Sequence, residues 1–248
     1  MKIVIIGGTG LIGSKLAPLL VSRGHEVLQA SPSRGVNATT GEGLQQALAG
    51  ADIVVDVSNS PSFEDKAVLH FFETGTANLV TAAKRAGVRH LIALSIVGTD
   101  RLESSGYFRA KLAQERLIAA SGLAYTILRA TQFFEFVGAI ADSGRWDGEV
   151  HVSSQLMQPL LADEVAEALA DVTLGEPANG IRDVAGPEAA PLADFVGRWL
   201  RKRGDTSKIV AAADVPYFGA ALALRTLVPD EGARIMPTRF DDWLSKTA

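Results

Sequence analysis

The sequence predicts an α/β fold in which a doubly wound parallel sheet is followed by a small C-terminal lobe. Over roughly the first 130 residues, short β-branched runs alternate with stretches of helical periodicity. Several helical stretches end at a glycine, such as Gly24 and Gly87, a residue that favours helix C-termini. This alternation is typical of repeated βαβ units, and 248 residues suffice for one such domain with an appended lobe.

The predicted elements follow one another in the order of a doubly wound sheet. Strands are predicted at residues 2–6, 26–30, 53–57, 89–95 and 124–129, and residues 36–39 fit a further short strand. Helices are predicted at residues 10–24, 43–49, 64–86 and 107–121. Beyond residue 136 the pattern is less regular, with helices at 161–174 and 192–203 around a last strand at 180–184. We therefore expect residues 1–135 to form the core, and residues 136–248 to add the last elements and the lobe within one domain.

Composition argues against several classes of protein. The net charge is −4, so no nucleic-acid partner is expected. A dense basic cluster is predicted to be the solvated face of a helix; it comprises Arg198, Arg201, Lys202 and Arg203. No run approaches about 18 apolar residues, so no membrane span is expected. The chain has no cysteine, and its four histidines lack metal-ligand spacing, so no metal site is expected. No export signal is recognised, and a cytoplasmic location is expected.

The first predicted strand leads into a glycine-rich turn that opens a helix. Its residues are Gly7-Gly8-Thr9-Gly10-Leu11-Ile12-Gly13. The glycines satisfy both Gly-x-x-Gly-x-x-Gly and Gly-x-Gly-x-x-Gly, and they allow the backbone to approach a pyrophosphate. The N–H groups at the start of the helix then face the phosphates. We expect dinucleotide contacts from Gly7, Thr9, Gly10, Leu11, Ile12 and Gly13; the alternative is a plain tight turn.

The end of the second predicted strand favours NADP(H) over NAD(H). A carboxylate there would accept the ribose hydroxyls of NAD, but the segment reads Gln29-Ala30-Ser31-Pro32-Ser33-Arg34 and holds no acid. A 2′-phosphate needs hydroxyl donors and a cation, which Ser31, Ser33 and Arg34 supply. The alternative is an ordinary polar turn with an arginine that faces solvent.

Ser95, Tyr107 and Lys111 form the candidate catalytic set. Ser95 closes a predicted strand at the carboxyl edge of the sheet, where ligands bind. Tyr107 and Lys111 follow at i, i+4 spacing, on one face of a helix. An adjacent ammonium is expected to lower the phenol pKa from about 10, so that Tyr107 exchanges a proton with a carbonyl while hydride arrives from the nicotinamide. Lys111 is also expected to bond the nicotinamide ribose, and Ser95 the carbonyl oxygen; the alternative is a surface Tyr-Lys pair.

Several segments together resemble a known superfamily. Besides the glycine-rich turn they are Gly75-Thr76-Ala77-Asn78-Leu79, Leu94-Ser95-Ile96-Val97-Gly98, Tyr107-Phe108-Arg109-Ala110-Lys111 and Ile127-Leu128-Arg129. They are similar to the short-chain dehydrogenase/reductase superfamily, and most of all to its atypical NmrA-like NAD(P)H-binding branch, over roughly residues 1–175. The resemblance implies a Rossmann sheet and assigns the superfamily's Ser, Tyr and Lys to Ser95, Tyr107 and Lys111. It also implies cofactor contacts from Val57, Ser58, Asn59, Ala130, Thr131, Gln132 and Phe133.

The function predicted from the sequence is that of an NADP(H)-dependent oxidoreductase. It would transfer hydride to or from a small carbonyl or enone substrate, with Tyr107 as acid or base. One alternative is a non-catalytic regulatory protein that senses NADP. A sugar-nucleotide epimerase is a further alternative, although Phe72 stands where the epimerase pattern usually has Asn. The sequence leaves the choice between monomer and homodimer open, and it predicts that segments 136–160 and 205–240 select the substrate.

Overall fold

A computed structural model describes residues 1–247 and confirms the predicted α/β fold. A seven-stranded sheet has the order β12-β9-β5-β4-β3-β1-β2. Its strands are β1 (Lys2–Ile6), β2 (Glu26–Ala30), β3 (Ile53–Asp56), β4 (His90–Ile96), β5 (Tyr125–Ala130), β9 (Gly180–Ala185) and β12 (Arg234–Ile235). The other strands are β6 (Arg145–Trp146), β7 (Glu149–Ser153), β8 (Leu156–Met157), β10 (Ala190–Pro191) and β11 (Lys208–Ala212). The helices are α1 (Leu11–Ser22), α2 (Leu44–Leu48), α3 (Asp65–Ala86), α4 (Gly106–Ala119), α5 (Val137–Ser143), α6 (Ala162–Leu174), α7 (Leu192–Lys202) and α8 (Phe240–Lys246).

The central strands are apolar because both of their faces are covered. Strand β1 pairs in parallel with β2 on one side and β3 on the other, and β3 pairs in parallel with β4. Val4, Val54 and Leu91 belong to one buried cluster with Leu79 of α3 and Ile118 of α4. Near-continuous hydrophobic runs are typical of such parallel strands.

Residues 36–39 do not form the short strand that their composition fits. The Asn37 side chain accepts hydrogen bonds from the backbone N–H groups of Thr39 at 2.9 Å and Thr40 at 3.4 Å. The Gly41 N–H donates to the Asn37 carbonyl at 2.9 Å. These local bonds use backbone groups that a sheet ladder would need, so the segment turns instead of extending.

The chain divides into two compact units. The first consists of Met1–Ser95, Gly106–Arg129 and Val165–Arg182. It contains β1 to β3, most of β4 and β5, α1 to α4 and most of α6. The second consists of Ile96–Ser105, Ala130–Glu164 and the residues from Asp183 on. It holds the three-stranded sheet β11-β7-β6, the antiparallel pair β10-β8, and α5, α7 and α8.

Aromatic side chains form the core of the second unit. Five rings lie in successive contacts, with centroids 5.2–5.9 Å apart: Phe134, Phe195, Phe240, Trp199 and Trp243.

The prediction that the whole basic cluster on α7 faces solvent is wrong for one member. Arg198 lies over the rings of Phe195 and Phe240 and pairs with Glu188 at 3.0 Å and Asp241 at 3.2 Å. Its planar guanidinium stacks on rings while it pairs with carboxylates, which allows burial.

His90 makes the stability of the first unit sensitive to acid. Its side chain is 3% exposed on β4, with Nε2 2.9 Å from the Thr126 hydroxyl on β5. Burial lowers the pKa of His90 from 6.5 to about 4. The unfolded chain therefore binds a proton at a higher pH than the folded chain does. Stability is lost as the pH falls from about 6.5 towards 4.

We predict that replacing His90 by Gln, which keeps a polar nitrogen near Nε2, flattens this acid dependence. Between pH 7 and pH 5 the wild-type protein should lose about 2 kcal/mol more of its free energy of unfolding than His90→Gln does. Urea unfolding at both pH values measures the difference. The control is His70→Gln on the exposed side of α3, which should behave as wild type. Equal acid dependence in His90→Gln and wild type would contradict the assignment.

Candidate active site

The backbone of the glycine-rich turn is packed so closely that no side chain fits at Gly7 or Gly13. Gly7 has a φ of +77°, and a Cβ there would lie 2.7 Å from the Ser58 backbone. A Cβ on Gly13 would lie 2.5 Å from the Gly7 carbonyl oxygen. The Gly10 N–H donates to that same oxygen at 3.0 Å. Gly7 and Gly13 are therefore required by the backbone approach itself.

The first turn of α1 is open to an external anion. Gly10 is the N-cap residue, and within the described chain no side chain caps this helix and no acid lies in its first turn. The N–H groups of a helix start need acceptors, and a phosphate group is a suitable one. Thr9 and Leu11 are exposed, whereas Ile12 and Gly13 are buried. The residues present thus fit the pyrophosphate of a dinucleotide.

The segment after β2 is a short 3-10 turn that is tethered to the glycine-rich turn. The buried Ser31 hydroxyl lies 2.9 Å from the hydroxyl of Ser33. The exposed Arg34 guanidinium donates to Gln29 Oε1 at 3.3 Å, and Gln29 Nε2 donates to the Gly8 carbonyl at 2.7 Å. Sequence reasoning missed Gln29, since nothing in its type or position marked it. Its two hydrogen bonds join the predicted phosphate-binding and ribose-binding segments.

Strand β3 ends at a buried carboxylate, and a loop follows it. Asp56 accepts hydrogen bonds from the Ser58 N–H at 3.0 Å, the Ser58 hydroxyl at 2.6 Å and Gln114 Nε2 at 2.8 Å. Burial raises the pKa of Asp56 from its ordinary value. Val57 and Ser58 are half-buried, and Asn59 is exposed. Sequence reasoning named these three residues but missed Asp56 and Gln114, whose types are common at such positions.

Tyr107 is the second residue of α4. Its ring lies among aromatic side chains, and its hydroxyl contacts the loop after β3. The hydroxyl donates to Asn59 Oδ1 at 3.0 Å. The ring centroid lies 5.5 Å from that of Phe63 and 6.1 Å from that of Phe72. Burial of the phenol raises the pKa of Tyr107 to about 12. The group is therefore a neutral hydrogen-bond donor across the physiological pH range.

Lys111 lies one helical turn further along α4, but it does not lower the phenol pKa as predicted. Its ammonium donates to the Leu94 carbonyl at 2.8 Å and to Gln114 Oε1, and it lies 4.6 Å from the Phe72 ring centroid. Burial lowers the pKa of Lys111 to about 8, against the charges of Asp56 and Glu115. The prediction is wrong because desolvation dominates the pKa of each group and the two groups bond to different partners.

Ser95 belongs to a buried ion-pair cluster. Its hydroxyl donates to Glu115 Oε1 at 2.5 Å, and the residue is 2% exposed. Arg129 binds the same carboxylate through Nε at 2.9 Å and Nη2 at 2.6 Å. A hydroxyl has one proton, and here Glu115 accepts it. The role of Ser95 as a donor to a substrate oxygen stays a prediction.

The loop after β5 lies in the second unit from Ala130 on. Ala130 accepts from the Val97 N–H at 2.9 Å, and the Thr131 hydroxyl donates to the Gln158 carbonyl at 2.6 Å. Gln132 is 7% exposed, and neither of its amide atoms has a hydrogen-bond partner among residues 1–247. Phe133 stacks on Phe136 with centroids 5.4 Å apart. Cofactor contacts from these residues stay predictions.

Two kinds of feature are absent from residues 1–247. No helix in residues 1–247 has both the length and the apolar character required to cross a membrane. In the same part of the chain, no three His, Asp or Glu side chains are grouped so that they could hold a metal ion.

Comparison with known protein families decides the family. A family model described as NAD(P)H-binding matches residues 7–172, which is more than half of the chain. The chain belongs to this NAD(P)H-binding family. The NAD(P)H-binding assignment that the resemblance implied is thereby confirmed, and the cofactor is a nicotinamide dinucleotide. The matched span includes the glycine-rich turn, Tyr107 and Lys111.

Curated relatives of this family member are distant. The photosystem II assembly factor Ycf39 of Synechocystis is 25% identical over 54% of this chain and 46% of its own length. The (4-alkanoyl-5-oxo-2,5-dihydrofuran-3-yl)methyl phosphate reductase of Streptomyces griseus is 28% identical over 80% of this chain and 75% of its own. The NAD(P)H azoreductase of Xenophilus azovorans is 26% identical over 84% and 76%. Reductases among these relatives support an oxidoreductase in general.

Solved structures share the fold at low identity. The dTDP-4-dehydrorhamnose reductase of Bacillus anthracis, in complex with NADP, has a TM-score of 0.75 and 16% identity, covering 99% of this chain and 96% of its own. The UDP-glucose 4-epimerase of Thermus thermophilus, in complex with NAD, has a TM-score of 0.70 and 18% identity, covering 92% of both chains. These likenesses concern the arrangement of strands and helices.

We predict that Gly13→Ala weakens NADPH binding by at least about tenfold. The new methyl group would lie 2.5 Å from a backbone oxygen, so the turn must shift, and lost hydrogen bonds to a charged group each cost about 1.5–3 kcal/mol. Isothermal titration calorimetry with NADPH measures the change. The control is Gly75→Ala in α3, where the nearest atom lies at 3.7 Å; it should keep wild-type affinity. Wild-type affinity in Gly13→Ala would contradict the proposed phosphate site.

Proposed function

We propose that this family member is an NADP(H)-dependent reductase of a small carbonyl or enone, with Tyr107 as the proton donor. The observation that supports this most directly is the neutral Tyr107 hydroxyl, which is bonded to Asn59 in the loop that follows β3. Ligands of doubly wound sheets bind outside the carboxyl ends of the strands. The phenol therefore lies at the edge where a cofactor and a substrate are expected.

The pKa of Tyr107 favours reduction over oxidation. When bound, the nicotinamide supplies the hydride, and a reduced product needs one proton besides. A phenol with a pKa of about 12 is protonated at neutral pH and can donate that proton, after which solvent restores it. Oxidation of an alcohol would need the phenolate, which burial disfavours.

Lys111 is proposed to contact the cofactor and to hold α4 in place. An ammonium has three protons, and the Leu94 carbonyl and Gln114 accept two of them. We assign the third to the nicotinamide ribose, as the superfamily resemblance implies. Burial lowers the pKa of Lys111 to about 8, which is still above 7, so the ammonium is the predominant form at neutral pH.

The names of the relatives are consistent with an unsaturated acceptor. Besides the dihydrofuran and azo reductases, a divinyl chlorophyllide a 8-vinyl-reductase of Cucumis sativus is 28% identical over 76% of this chain and 54% of its own. Vinyl and azo groups are double bonds that take up one hydride and one proton. An enone offers the same kind of conjugated double bond, which supports a reductase of this class here.

A cofactor sensor without turnover is the second candidate. The presence of two photosystem II assembly factors among the relatives, from Synechocystis and Cyanophora paradoxa, favours it, since neither is named for a reaction. A sensor would bind NADPH and oxidise none of it with any acceptor. A reductase would oxidise NADPH with at least one member of a panel of enones, quinones and azo dyes.

We predict that Tyr107→Phe lowers kcat by about 10²–10⁴-fold, because a phenylalanine ring cannot donate a proton. NADPH affinity should stay within about twofold of wild type, since the phenol hydroxyl is assigned to the substrate. Absorbance at the nicotinamide band measures turnover, and calorimetry measures binding. The matched control is Tyr125→Phe on β5, which should keep full activity. Undiminished turnover in Tyr107→Phe would rule out the proposed proton donor.

We predict that Arg34→Gln weakens NADPH binding by about tenfold or more and leaves NADH binding unchanged. A charge-assisted hydrogen bond to the 2′-phosphate contributes about 1.5–3 kcal/mol, and NADH has no such phosphate. Calorimetric titration with both cofactors gives the ratio. The control is Arg116→Gln in the last turn of α4. Equal losses for NADPH and NADH in Arg34→Gln would contradict NADP selectivity through this residue.

A further inference from the structure

The loop between β3 and α3 presents an exposed aromatic ring beside Tyr107. Phe63 is 67% exposed, one of the most exposed large apolar side chains in residues 1–247. Its ring centroid lies 5.5 Å from that of Tyr107, with the two planes inclined at 50°. Covering such a ring with a ligand removes apolar area from water, which is favourable. An exposed ring in contact with the proposed proton donor therefore points to a ligand surface.

Hydrogen bonds hold this ring in a folded loop. The Ser60 hydroxyl donates to the Ser62 carbonyl at 2.7 Å, and the Glu64 N–H donates to Ser62 Oγ at 3.2 Å. The Glu64 carboxylate then caps α3 by accepting from the Ala67 N–H at 2.9 Å. Phe63 thus lies between two anchored residues, so little further ordering is needed for it to bind a partner.

The polar groups next to the ring indicate what else the ligand carries. Asn59 Oδ1 accepts from the Tyr107 hydroxyl at 3.0 Å and from the Ser60 N–H at 3.0 Å. Asn59 is exposed, and in residues 1–247 its Nδ2 has no hydrogen-bond acceptor. The phenol proton, when it turns from Asn59 Oδ1 to a ligand, and this amide are both donors. A ligand that meets them needs a lone-pair atom such as a carbonyl oxygen.

We propose that Phe63 contacts the substrate, and that the substrate is a flat aromatic acceptor whose carbonyl or other lone-pair group reaches Tyr107 and Asn59. The proposal rests on the reductase function proposed above and narrows its substrate class. Aromatic rings stack or meet edge to face at centroid distances of about 4.5–7 Å and gain more than their buried area alone provides. A saturated ring of about the same size would lack this additional binding free energy of an aromatic pair.

The test compares two acceptors of similar size, one with an aromatic ring and one with a saturated ring. They are 4-phenylbut-3-en-2-one and 4-cyclohexylbut-3-en-2-one, each reduced to its saturated ketone by one hydride from NADPH and one proton. Wild type should show a KM for the phenyl compound about 5–10-fold below that for the cyclohexyl compound. Phe63→Leu should raise the KM of the phenyl compound by about 5–10-fold and leave that of the cyclohexyl compound within about twofold. Phe63→Tyr, which keeps the ring, should restore the preference.

A binding measurement separates failure of this proposal from failure of the proposed function. The unreactive product 4-phenylbutan-2-one is titrated into the protein with NADP⁺ and followed by saturation-transfer NMR, in wild type and in Phe63→Leu. Turnover with equal KM for the two enones overturns the proposed contact between Phe63 and an aromatic substrate, while the reductase function remains supported. Binding that depends on Phe63 without turnover supports the aromatic site and overturns the reductase. Neither turnover nor binding overturns both.

Discussion

The rotational setting of helix α4 depends on polar groups that are buried along one of its sides. One face of α4 carries Lys111, Gln114 and Glu115. Each of these side chains forms a hydrogen bond with a residue of the sheet. Gln114 joins Lys111 to Asp56 at the end of β3, while Glu115 accepts two hydrogen bonds from Arg129 on β5. Buried charges are strongly destabilising once a partner is lost. A rotation of α4 would break both sets of bonds, so these bonds hold Tyr107 at the Asn59 loop.

The same burial determines the chemical character of the two candidate catalytic groups. Desolvation penalises a charged form, so it raises the pKa of Tyr107 and lowers that of Lys111. Each shift moves its group towards neutrality, and neither requires the other residue. A phenol that retains its proton suits a reaction that consumes a proton. The electrostatics of α4 therefore favour reduction more strongly than the residue types alone would indicate.

Features that depend on a local backbone requirement could be predicted from the sequence. The hydrogen-bond partners of individual side chains could not. The glycine-rich turn was predictable because Gly7 and Gly13 meet backbone atoms that no side chain can accommodate. The i, i+4 spacing placed Tyr107 and Lys111 on one helix face, but the sequence did not predict their hydrogen-bond partners, Asn59 and Gln114. These partners depend on which loop and which helix face meet in space. For the same reason Asn37 was misread, since its side chain captures backbone groups that a strand would have used.

The sequence by itself determined the order of β1 to β5 and α1 to α4, the glycine-rich turn and the absence of an acid at the end of β2. All three are encoded within short stretches of chain, as periodicity, glycine spacing and residue type. Only the tertiary structure decided that Tyr107 keeps its proton, that Ser95 donates to Glu115 and that Phe63 is exposed beside the phenol. Desolvation and hydrogen-bond partners depend on groups brought together from distant segments, and no local pattern records them.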